Sequence, residues 1–170
     1  MRSLFFSLFL LATISVCAQT GLVEVSRKNY SITCPKSWTI DTSKKRAADI
    51  VIKSPLSDSL DKFHENLNIV IQDLSWQNYT LQKMGEESEA AIRELMPDVE
   101  ISSSKLISNQ PLQYYSLAYS AKQGNLSFSA IQRFYIKDDI GYVVSSTFET
   151  GKEADYLTVM TNMMNSFRLR

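Results

Sequence analysis

The sequence predicts an α+β domain: an antiparallel β-sheet flanked by helices, in an α/β/α sandwich. Three observations predict it. Strand-like runs outnumber helical ones, with about seven strands against two helices. Beyond residue 98 the strands follow one another through short polar turns, which join antiparallel neighbours, because a parallel pair needs a long crossover. Both helical segments carry one apolar stripe, which must lie on an apolar surface to be buried.

The chain opens with an address. Met1 and Arg2 form a short positive region, Leu4 to Ile14 is apolar apart from Ser7 and Thr13, and Val16, Cys17 and Ala18 are mostly small. This is the layout of a secretory signal peptide, residues 1–18, followed by a single mature domain, residues 19–170. The apolar stretch is shorter than the ~20 residues a helical membrane span needs. Cleavage after Ala18 exposes Gln19. The rival reading lipidates Cys17, but Val16 occupies a position where a lipid-attachment signal places Gly, Ala or Ser. The expected location is therefore the periplasm or the secreted fraction. One cysteine, Cys34, survives such a cut, so no internal disulfide is expected and stability must come from core packing. Cys34 itself reads as a buried small hydrophobe.

Leu22, Val23 and Val25, then Tyr30, Ile32 and Cys34, read as two strands around the polar turn 26–29. Pro35 ends the second, with Trp38 and Ile40 expected to pack onto the sheet. Residues 49–53 form a third strand, stopped at Ser54-Pro55, and residues 56–65 a polar loop. Residues 66–74 alternate, with Leu67, Ile69 and Ile71 on one side. Leu81, Met84, Ser88, Ala91, Ile92 and Leu95 recur at helical spacing, with Thr80 as N-cap and Pro97 just past the end. Gly85 costs this helix ~1 kcal/mol relative to Ala and suits a close approach to the sheet. Strands follow at 99–107, 112–121, 126–137 and 140–148. On the third of these, Leu126, Phe128, Ala130, Phe134 and Ile136 share a face, interrupted by Gln132. Thr150-Gly151-Lys152-Glu153 matches a capping box. Tyr156, Val159, Met160, Met163, Met164 and Phe167 then make a second helical stripe, expected to be core.

Composition excludes several classes. Hydrophobic residues are 44 % and charged residues 21 %, which fits a globular chain rather than a disordered one. The 18 basic residues match the 18 acidic ones, and loss of the leader removes one base, so no basic excess exists to bind nucleic acid. Lys44, Lys45 and Arg46 are the only basic run and read as a solvated loop. The glycines never cluster, which excludes a phosphate-cradling loop or a dinucleotide fingerprint, and no G-x-S-x-G element occurs. Glu86-Glu87 and Asp138-Asp139 fall on an exposed helix face and a hairpin tip. His64 is the single histidine. With Asp58, Asp61 and Glu65 it could form at most a weak surface cation site, and the solvated loop is the preferred reading. No catalytic, cofactor-binding or metal residue is therefore assigned. Tyr115 and Tyr119, on one strand face with Leu117, read as core rather than as a partner surface. Asp58-Ser59-Leu60 resembles an acceptor for O-linked sugars.

The order of these elements resembles the PsbP-like superfamily, which includes photosystem II PsbP, periplasmic lipoproteins of the DcrB type and a Ran-binding transport factor. The resemblance rests on five pieces. They are Tyr30-Ser31-Ile32-Thr33-Cys34-Pro35 with Trp38, then Asn66-Leu67-Asn68-Ile69-Val70-Ile71, then the helix from Leu81. Gln132-Arg133-Phe134-Tyr135-Ile136 with Gly141-Tyr142-Val143-Val144, and finally Ser166-Phe167-Arg168-Leu169, complete the set. It implies an antiparallel sheet between helices and a binding or scaffolding role without enzyme activity, and it transfers no site residues. The leader lacks the Ser/Arg-rich character of a plastid transit peptide, which speaks against a photosynthetic role. The expectation is an exported, non-catalytic domain that binds another envelope or secreted protein. The alternative is a small ligand or metal held between sheet and helix, with loop 54–65 as a lid.

Overall fold

The computed structural model describes residues 21–44, 47–76, 78–108 and 110–170. The expected leader, residues 1–18 with Cys17, and two members of the basic run, Lys45 and Arg46, lie outside the described residues.

Strands β1 (Leu22–Ser26) and β2 (Tyr30–Pro35) pair antiparallel, with Val25 opposite Ile32. The turn between them is closed by Arg27 N–H donating to the Tyr30 carbonyl at 2.8 Å. Strand β3 (Thr39–Asp41) follows, and β4 (Ile50–Lys53) and β5 (Asn66–Asp73) come next. Helix α1 spans Leu81–Leu95. Four strands then run in sequence: β6 (Glu100–Ile107), β7 (Tyr114–Gln123), β8 (Leu126–Lys137) and β9 (Ile140–Glu149). Helix α2 (Glu153–Asn165) and the two-residue strand β10 (Arg168–Leu169) close the chain.

Seven strands form one antiparallel sheet in the order β3-β4-β5-β9-β8-β7-β6. The β6 to β9 run is a meander, and its last strand returns beside β5, so residues 66–73 pair with residues 140–147. A second sheet of three strands, β1-β2-β10, is assembled from the two ends of the described chain. Two apolar cores lie on opposite faces of the large sheet. On one face Met84 and Ile92 of α1 meet Tyr115, Leu117, Tyr119, Ala130 and Phe134. On the other, Met160, Met163 and Met164 of α2 meet Ile32, Ile50, Leu67, Ile69 and Val144. The architecture is α+β, as the patterning predicts, with the small sheet sharing a layer with α2.

Local chemistry explains most boundaries. Thr80 Oγ1 accepts from Lys83 N–H at 3.2 Å and caps α1 as expected. Asp138 and Asp139 both adopt left-handed φ, 52° and 57°, the pair of conformations a tight hairpin turn demands. A Cβ on Gly85 would stand 2.1 Å from the Tyr115 ring, so the helix lies directly on that ring and only glycine fits.

Five expectations are corrected. β3 is a strand the sequence does not announce, because Thr39-Ile40-Asp41 is too short to show alternation. Trp38 is buried, but Ile40 is half exposed, because β3 is the sheet edge. Ile71 is likewise partly exposed, since the pairing of β4 with β5 stops at Ile69 and leaves Ile71 at an open margin. Ala91 and Leu95 leave the α1 stripe for solvent as the helix runs past the sheet, with Leu95 78 % exposed. The capping box does not form. α2 begins at Glu153 itself, Thr150 N–H donates to the Ser127 carbonyl, and Glu153 Oε2 accepts from Gly151 N–H at 2.8 Å. Gly151 at φ 93° turns the chain later than the motif requires.

Candidate functional site

A cleft of about 790 Å³ opens between α2 and the β1–β2 hairpin. Its apolar surface comes from Leu22, Pro35, Trp38, Tyr156, Val159 and Met163. The stripe on α2 is wider than its contact with the large sheet, so Tyr156 and Val159 are only partly covered by the core. Trp38, held in the turn after β2, meets Tyr156 edge to face at a centroid distance of 6.4 Å. The rim is polar: Thr33, Thr158, Asn162 and one acid, Asp155. Ser166 Oγ accepts from Thr33 N–H at 2.8 Å, fixing the end of α2 to β2 and hence the width of the cleft. Leu22 stands at the lip and is 63 % exposed.

Beside this cleft, at the N-terminus of α2, the lysine Lys152 gathers three carboxylates. Its Nζ lies 3.2 Å from Asp61, 3.2 Å from Glu65 and 2.6 Å from Glu149. Glu65 is fully buried and also accepts from Ser54 Oγ at 3.0 Å. Asp61 is held well below the usual carboxylate range, first by the Ser57 backbone N–H, then by the Ser57 hydroxyl. The Lys152 ammonium is pushed up chiefly by Glu149. Asp58 Oδ1 caps the loop backbone at Leu60 and Asp61, and His64 Nδ1 lies 2.6 Å from the Ser54 carbonyl. Two of the carboxylates of the conceivable cation site thus face an ammonium the protein supplies itself. Among the described residues no three His, Cys, Asp or Glu side chains are grouped to hold a metal ion. Loop 54–65 is tied to α2 through Lys152, and none of its residues lines the α2–hairpin cleft, so it is a clasp and not a lid over that cleft.

Several other polar and aromatic groups are committed to structure. Asp49 accepts from Arg27 Nε at 3.0 Å and from the Tyr30 hydroxyl at 2.8 Å, with Lys44 Nζ at 3.3 Å. Arg27 holds the Asp49 carboxyl down to about 2, and burial pushes the Tyr30 hydroxyl up. This joins the β1–β2 turn to the start of β4. Cys34 is buried, which pushes its thiol up, away from reactivity. Tyr115 and Tyr119 lie under α1 as core. Glu87 accepts from the Tyr79 hydroxyl on the exposed face of α1. Ser59 stands exposed beside Leu60, so the sugar-acceptor motif is accessible. The cleft and the Lys152 clasp are what sequence reading missed. Both join residues more than a hundred positions or some ninety positions apart, and the one available signal was the excess width of the α2 stripe.

No protein-family model matches the sequence, and neither does any curated protein. Solved structures do match. Cyanobacterial PsbP (CyanoP) from Synechocystis sp. PCC 6803 superposes with a TM-score of 0.65 at 14 % identity, over 94 % of this chain and 99 % of that one. LpqN of Mycobacterium tuberculosis, involved in cell envelope biogenesis, gives 0.66 at 8 % identity, over 88 % and 90 %. PA94 of Pseudomonas aeruginosa, described as a putative regulator, gives 0.61 at 12 % identity, over 88 % and 97 %. The chain has a PsbP-like fold. No helix among the described residues is long and apolar enough to cross a membrane.

Proposed function

We infer that the chain is exported and acts as a non-catalytic binding domain of the bacterial envelope, and that its partner is another protein seated on the α2–hairpin cleft. The observation that carries this reading is the cleft itself: an apolar floor around Trp38 and Tyr156, with a polar rim. Aromatic anchors inside a polar ring are the usual composition of a protein interface centre. Residues 1–18 support export, and the envelope setting draws support from LpqN, a protein of cell envelope biogenesis with the same fold. The non-catalytic reading is supported by the commitment of Lys152 and Asp49 to ion pairs and of Cys34 to the core.

The test is a photo-cross-linking residue at Thr158, in the chain expressed with its leader in its own host. The expected result is one cross-linked envelope protein, lost in Val159→Glu, and a mature chain that begins at Gln19. Retention of the chain in the cytosol with its leader attached, or cross-linking indifferent to Val159→Glu, refutes the reading. A second reading, a small apolar ligand in the same cleft, is favoured by the volume of about 790 Å³, which falls within the usual ~300–1,000 Å³ of ligand sites. Native mass spectrometry of protein purified from the host separates the two. A constant adduct mass that disappears in Val159→Glu assigns the ligand.

A further inference from the structure

Five segments converge on a second cleft, of about 410 Å³, at the C-terminal end of α2. Tyr114 comes from β7, Arg133 from β8, Asn165 from the last turn of α2 and Arg168 from β10, while Gln110 precedes β7. Arg133 Nη1 donates to Asn165 Oδ1 at 2.8 Å, and its guanidinium lies 4.8 Å over the Tyr114 ring. Arg168 Nη1 donates to the Asn165 carbonyl at 2.6 Å and to the Phe167 carbonyl at 2.8 Å. One residue therefore holds both guanidinium groups, through two different oxygens.

Every one of these acceptors is neutral. Neither arginine has a carboxylate partner among the described residues, and no aspartate or glutamate lines the cleft. The other three described arginines, Arg27, Arg93 and Arg170, each have one. In a chain with 18 acids for 18 bases, a surplus of positive charge does not account for this exception. Two fixed guanidinium groups in one concavity repel each other, and an oxyanion between them reverses the sign of that term. Arginine offers such an anion a planar fork of donors. Tyr135 lines the same cleft, and Leu112 supplies accessible apolar surface beside the two arginines.

We propose that this cleft binds an organic oxyanion, a phosphate monoester or carboxylate carried on a ring or a short apolar body, with Arg133 and Arg168 gripping the head and Tyr114 and Leu112 contacting the body. The site is separate from the α2–hairpin cleft and stands or falls independently of it.

The test is calorimetry on the mature chain with phenyl phosphate, benzoate and inorganic phosphate, and a flotation assay with phosphatidic-acid vesicles. Wild type is expected to bind phenyl phosphate or benzoate saturably, and more tightly than inorganic phosphate. Arg133→Gln retains an amide donor for Asn165, and Arg168 is exposed, so Arg133→Gln and Arg168→Gln should both melt with the wild type. Each should weaken binding roughly tenfold or more, as loss of a charge-assisted pair does. Arg133→Lys, which keeps the charge but not the fork, should weaken it less, and Lys122→Gln on the exposed end of β7 should leave it unchanged. Binding to vesicles alone, lost in both arginine variants, assigns the anion to a lipid headgroup. Binding in solution assigns it to a free molecule. No saturable binding in either assay, or equal weakening by Lys122→Gln, overturns the proposal and leaves Arg133 as a brace between Tyr114 and Asn165.

Discussion

At the scale of single residues, the polar groups of this protein hold segments together. Lys152 is the clearest case, because it neutralises Glu65, a carboxylate with no exposed surface. Lys152→Met should cost roughly 2–3 kcal/mol, less than the 3–5 kcal/mol of a fully buried pair because the lysine keeps 26 % exposure. Adding Glu65→Gln should recover part of the loss, which a double-mutant cycle in urea would read; an additive cycle refutes the pairing. Asp49 makes a pH prediction. Its folded value, about 2, lies below the ordinary carboxylate value, so its contribution is complete above about pH 4 and is lost as pH falls toward 2. The loss should amount to at most about 2 kcal/mol and be absent in Asp49→Asn. Acid titrations of stability for the two proteins, compared between pH 5 and 2, check the sign. Gly85→Ala should destabilise by roughly 1–3 kcal/mol despite the gain in helix propensity, because the added carbon meets a Tyr115 ring that is itself buried and bonded to Ser104 Oγ.

At the scale of elements, α2 is the piece on which the second core depends. Met160, Met163, Met164 and Phe167 are each at most 2 % exposed, and Phe167 sits among Tyr30, Tyr135 and Tyr142 at centroid distances of 5.5, 4.9 and 6.2 Å. Met160→Ala should cost about 2–5 kcal/mol, and Thr158→Ala, on the solvent side, less than about 0.5 kcal/mol. Deletion of 154–170 removes the helix and the β10 edge of the small sheet together, and should abolish the cooperative thermal transition. The stripe on α2 was legible because 3.6-residue periodicity is a property of the chain itself. So were the meander turns, since Asp138-Asp139 and Gly124 carry their conformations locally. The α2 cap was not legible. Thr150 satisfies its N–H on β8 instead, a choice made by a strand more than twenty residues away. β3 escaped notice for a related reason: three residues pair only because β4 is already there.

At the scale of the whole molecule, the two sheets differ in how they are assembled. The β6–β9 meander is local, whereas β5 finds β9 across some seventy residues and β2 finds β10 across more than a hundred. Such non-local pairing should place folding in the millisecond-to-second range rather than the microsecond range of helical bundles, as stopped-flow refolding would show. The sequence by itself determined most of the residues that turn inward and where most strands and both helices lie, because these follow from side-chain period and turn chemistry. Tertiary structure alone decided that β9 returns beside β5, that the chain ends make a second sheet, and that Lys152 and Arg133 end up beside residues far away in the sequence. The physical reason is that a strand's alternation specifies its buried face but not its neighbour. The neighbour is chosen by the free energy of closing long loops against the apolar surface they bury, a quantity that belongs to the assembled chain.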